Sequence, residues 1–60
     1  MTAPVTEIYN KLRDHLIETG QIYFVTRWDM VHYCVGYFGC VTADHLTAIA
    51  CLERNNLIKK

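Results

Sequence analysis

The stretch GCVTADHLTAIACLERNNLIKK, Gly39 to Lys60, holds a helix together with its start and stop signals, and the rest of the chain is read around it. Thr42 is a good N-cap, because its hydroxyl can accept from the orphan N–H groups of a first turn, and Asp44 sets a carboxylate beside the positive end of the helix dipole. Leu46, Ile49, Leu52 and Glu53 then recur at helical spacing, flanked by His45 and Ala50, which predicts one largely apolar face. The opposite face carries Asp44, Thr47, Ala48, Cys51, Arg54 and Asn55. Asn56 can end the helix, since Asn tolerates the left-handed conformation better than any residue but Gly. Leu57 to Lys60 reads as a short edge strand.

Upstream, Thr2 is positioned to cap a first helix and Pro4 to occupy its first turn, where the missing N–H costs nothing. Val5, Ile8, Tyr9, Leu12 and Leu16 form its apolar stripe, and Gly20 closes it. Gln21 to Val25 is rich in β-branched and aromatic residues and too short for a buried helix, which predicts a strand pairing with Leu57 to Lys60. Thr26 caps a second helix, with Asp29 three residues on as a short-armed capping box. In that helix Trp28, Val31, Cys34, Val35 and Phe38 are assigned to the inner side, with Asp29, Met30, Tyr33 and Tyr37 outside and Gly39 at the end. Gly36, unfavourable in a helix interior, suggests a close helix crossing.

Sixty residues make a single domain, residues 1–60, small enough that contacts with a partner would be a natural supplement to its own core. At 52% hydrophobic content the chain is too apolar for disorder, and no run is long enough to span a membrane. No charged segment leads into an apolar one at the N-terminus, so no signal peptide is expected. Three cysteines without CxxC spacing fit a reducing compartment, and the cytoplasm is the expectation. Zinc is not expected, because five residues separate Cys34 from Cys40 and four separate Cys40 from His45, which supplies no knuckle. A cysteine-histidine nucleophile pair would need an orienting group and a pocket, so neither an enzyme nor a cofactor is expected.

The chain's expected order is helix, strand, helix, tight turn, helix, strand, and its stretch from Thr26 to Lys60, with the ending LERNNLIKK, resembles the winged helix-turn-helix family of DNA-binding domains. Asn56 stands where that family usually has Gly, the GCVT turn is one residue longer than usual, and the wing is reduced to Lys59 and Lys60. The resemblance implies an α+β, mostly helical fold, three helices with a short two-stranded sheet, whose third helix enters the major groove. It implies a small transcriptional regulator that binds double-stranded DNA as a homodimer across two half-sites. Arg27, Thr42, Ala43, Asp44, Thr47, Cys51, Arg54, Asn55, Lys59 and Lys60 are the DNA-binding candidates, with the arginines on phosphate or guanine and Asn55 on adenine.

Six basic and six acidic residues leave no net charge to attract a polyanion, and a face rich in Ala, Thr and Cys also suits another protein or a second copy. Tyr23, Met30, Tyr33 and Tyr37 form the candidate dimer or partner interface, dimerisation being expected there or through the first helix. The second reading is therefore a non-catalytic protein, of the kind carried by phages or mobile elements, that binds and inhibits or redirects a host protein complex.

Overall fold

The computed structural model describes residues 4–59, built as α1 (Pro4–Thr19), α2 (Arg27–Phe38) and α3 (Ala43–Arg54). The expected cap at Thr2 and the basic residue Lys60 lie outside the described residues. Each helix ends where local chemistry ends it. After α1, Gly20 turns left-handed at φ 69°, and the Gln21 N–H reaches back to the Leu16 carbonyl at 3.0 Å. After α3, Asn56 takes φ 61° and the Leu57 N–H donates to the Leu52 carbonyl at 2.9 Å, which is the same six-to-one closure built on a different residue. Gly39, at φ 80°, ends α2 with its N–H on the Val35 carbonyl.

Helix α3 packs against both α1 and α2. Ile8, Leu12 and Leu16 of α1 meet Met30 and Cys34 of α2 and Ala48, Ile49 and Leu52 of α3 in one core, closed by Val25 and Ile58 from the segments outside the helices. The α1 stripe is as its spacing predicts, with Val5 and Tyr9 half-buried at its edge.

Among the described residues the predicted two-stranded sheet is not formed: the architecture is three helices, and the α+β assignment is wrong. Residues 21–24 curl into a turn in which the Phe24 N–H donates to the Gln21 carbonyl at 2.9 Å and Tyr23 sits at φ 72°, a conformation no strand tolerates. The tail still runs alongside this turn. Tyr23 donates its N–H to the Leu57 carbonyl (2.9 Å), Lys59 donates to the Val25 carbonyl (2.8 Å), and Thr26 and Lys59 form one isolated parallel bridge. Ile22, Val25, Leu57 and Ile58 are apolar because they cover the core, not because they form a sheet or an edge strand. The winged architecture loses its strands with it.

Two helices are also rotated from their expected faces. In α2, Cys34 points inward as expected but so does Met30, assigned to the outside, while Trp28 and Val35, assigned to the inside, are 64% and 51% exposed. In α3, Ala48 and His45 are buried and Leu46 is exposed. Gly36 is no crossing point, since a Cβ built there meets nothing within 4 Å.

Candidate functional site

The α2 N-terminus is fixed by a reciprocal box. The Asp29 N–H donates to Thr26 Oγ1, while the Thr26 N–H and hydroxyl both donate to Asp29 Oδ2 at 2.8 and 3.0 Å. These bonds, the backbone one foremost, hold the Asp29 carboxyl below the ordinary aspartate range. With the first turn fixed this way, Arg27 and Trp28 are presented at its outer edge, and the Arg27 guanidinium lies over the Trp28 ring, 5.6 Å from its centroid. Arg27, whose position at a helix N-terminus opposes the dipole, thus has a partner in its own chain.

The α3 N-terminus uses an unusual partner for the same purpose. The His45 N–H donates to Thr42 Oγ1, and the Thr42 N–H donates to His45 Nδ1 at 3.0 Å. An Nδ1 that accepts carries no proton, which places the ring hydrogen on Nε2. That atom is buried and has no hydrogen-bond partner among the described residues. The imidazole rests against Phe38 at a centroid distance of 4.8 Å. The sequence signal for this box, Thr42 with a side-chain acceptor three residues later, is present, but His falls outside the usual Glu or Gln pattern.

Between α2 and α3 the chain leaves a groove of about 370 Å³, with Trp28 and Val31 on one wall and Leu46, Ala50 and Glu53 on the other. It runs on into a more polar recess of about 340 Å³, where Arg27 and Glu53 are joined by Thr26 and Lys59. Trp28, Val31 and Val35 are spaced three and four residues apart, so they lie on one face of α2. Leu46 is 51% exposed on the facing helix. The chain's one tryptophan therefore stands in an open apolar channel with a cation and a carboxylate at its rim. Sequence reading placed Trp28 in the core, and so missed the groove.

The expected DNA-reading residues are scattered over several surroundings. Ala43, Thr47 and Arg54, each separated by four or seven residues, share the outward line of α3. Thr47 donates its hydroxyl back to the Ala43 carbonyl (2.9 Å). Asp44 is exposed on the side of Cys51, which is half-buried, and Asn55 is held by α1 through an Nδ2 bond to the Tyr9 hydroxyl at 3.1 Å. Thr42 is committed to capping, and Arg27 and Lys59 belong to the recess beside Glu53.

The expected aromatic interface divides. Met30 is only 2% exposed and belongs to the core, so it is removed from any interface. Tyr33 is sandwiched, with the His15 ring 3.7 Å away and Tyr37 at 5.5 Å, and Tyr37 meets Phe38 edge-on at 4.8 Å. Burial, and then the neighbouring Tyr37, push the Tyr33 phenol above its ordinary value. Tyr23 is exposed, but on the turn after α1. Of the α2 tyrosines, Tyr33 is thus occupied by its neighbours, whereas Tyr37 keeps 59% of its surface exposed.

Compared with known protein families, curated proteins and solved structures, the chain finds no match. No helix among the described residues is long and apolar enough to cross a membrane.

Proposed function

We propose that the chain is a small non-catalytic protein-binding module whose docking surface is the groove between α2 and α3. The supporting observation is the exposure of Trp28 and Leu46 on its opposing walls. A side chain as large as Trp gains about 1.5–3 kcal/mol or more when fully buried. An exposed indole facing exposed aliphatic residues across a channel is the arrangement in which binding residues anchor. Arg27 and Glu53 at the rim supply orientation, as charged groups around an apolar centre do.

The test is site-specific photocrosslinking in cells that produce the protein, with the photoreactive residue placed at Trp28 or, for comparison, at Arg54. Protein adducts from position 28 and few from position 54 are expected. Equal capture at both positions would overturn the groove as the docking surface.

A second reading, double-stranded DNA, draws on the outward line of Ala43, Thr47 and Arg54 on α3. Binding of that kind would weaken steeply with salt and would lose about one unit of log–log slope when Arg54 is replaced by Ala. A mobility shift at low salt that is absent for Arg54→Ala is the result that would favour it over the groove.

A further inference from the structure

We infer that the α2/α3 groove takes a second copy of this chain, the two copies related by a two-fold axis that sets α2 of one against α3 of the other. This rests on the groove being a docking surface, and it names the occupant. A two-fold interface brings one patch against itself, so every feature of the patch must find its complement within the same patch. The groove meets that condition in both its charge and its apolar parts.

The α2 wall contributes Arg27 and the α3 wall Glu53, opposite signs on opposite sides of an apolar strip made by Trp28, Val31, Leu46 and Ala50. Two-fold pairing places Arg27 of each copy toward Glu53 of the other and lays strip on strip, with Lys59 in the adjoining recess as a second cation for the same carboxylate. A partner whose docking face carried one sign of charge would meet a like charge on one wall. The whole chain has no net charge, so two copies approach without long-range repulsion. A specific interface needs roughly 600 Å² from each side. That is about one seventh of the 4058 Å² the chain exposes, within reach of two helix faces that carry Trp28, Val35 and Leu46 half-exposed or more. In the tyrosine stack Tyr37 is 59% exposed but Tyr33 already lies between His15 and Tyr37, so the stack offers one free ring where the groove offers Trp28 and Leu46 on facing walls.

Sedimentation equilibrium on the wild-type chain and on Arg27→Glu and Glu53→Arg tests this. The wild type should sediment as twice 7.0 kDa at high concentration. Each single substitution should set like charges against each other and weaken the dimer by about tenfold or more, the scale of a mispaired interfacial charge. An equimolar mixture of the two variants should recover the dimer, since each then offers the other two opposite-charge pairs. A variant that had merely unfolded could not be rescued this way. A wild type that stays at 7.0 kDa, or a dimer that both single substitutions leave intact, would overturn the inference. Crosslinking from position 28 separates this failure from failure of the groove itself. Adducts at twice the chain mass support self-association, whereas adducts only to other proteins overturn the second copy and leave the docking surface standing.

Discussion

Replacing Ile58 with Ala tests whether the tail is part of the core although it forms no strand. Ile58 is 3% exposed and packs with Val25, and the next residue's N–H bonds to the Val25 carbonyl at 2.8 Å. Removing three carbons from such a site costs about 2–5 kcal/mol through lost burial and the cavity left behind. A chain of this length has a total stability of about 3–9 kcal/mol at the usual per-residue scale. Ile58→Ala should therefore remove about a fifth of the stability or more, and Ile58→Val only about 0.5–1.5 kcal/mol. Lys59→Ala is the control: its side chain is exposed and its backbone bond survives, so a change within about 0.5 kcal/mol is expected. Urea unfolding followed by far-ultraviolet circular dichroism reads all three. If Ile58→Ala matched the wild type within about 0.5 kcal/mol, the tail would be an appendage and its burial would contribute nothing.

Other outcomes follow from the helix ends and from Gly36. Thr42→Ala should cost about 1 kcal/mol, and combining it with His45→Ala should cost less than the two separate losses added, because each removes the same reciprocal box; a double-mutant cycle that comes out additive would refute the shared role. Asp29 has a folded-state pKa below its unfolded one, so its contribution is complete above the ordinary aspartate range and disappears as pH falls through the depressed value. The stability gap between wild type and Asp29→Asn should therefore close in acid, below about pH 4, and a gap unchanged between neutral and strongly acidic solution would contradict this. Gly36→Ala should stabilise by about 0.5–1 kcal/mol, because the position is exposed, helical and open, and a loss of stability on thermal unfolding would show an unseen constraint there.

The helix boundaries were legible because punctuation is local chemistry. Gly20, Thr26, Gly39, Thr42 and Asn56 each act through their own backbone or a neighbour within a few residues, and each does in the structure what its residue type suggests. The rotation of α2 was not legible. RWDMVHYCVGYF is apolar on nearly every side, so periodicity offers Cys34 an inner face shared either with Trp28, Val31 and Val35 or with Met30, and only packing against α1 and α3 decides. The false strand has a similar origin. Ile22 and Val25 have the composition of a strand, but the closure at Gly20 and the left-handed Tyr23 bend the chain before a ladder can extend. The groove was hidden by the same rotation, since Trp28 reads as core until its neighbours are known. Among the expected site residues, Arg27 and Lys59 do come together, but around Glu53, a residue that sequence reading placed in the apolar stripe.

The packing order bears on how the chain is made. Helix α1 lies against α3, which is synthesised after it, and the Tyr9 hydroxyl is bonded to Asn55, far along the chain. The core is closed by Ile58. A nascent chain that has exposed only α1 and α2 therefore has half a core, with Leu12 and Leu16 lacking the Ile49 and Leu52 they bury against. Closure of this core must wait until residue 58 has cleared the ribosomal tunnel, so the three helices gain their packing together and not one after another.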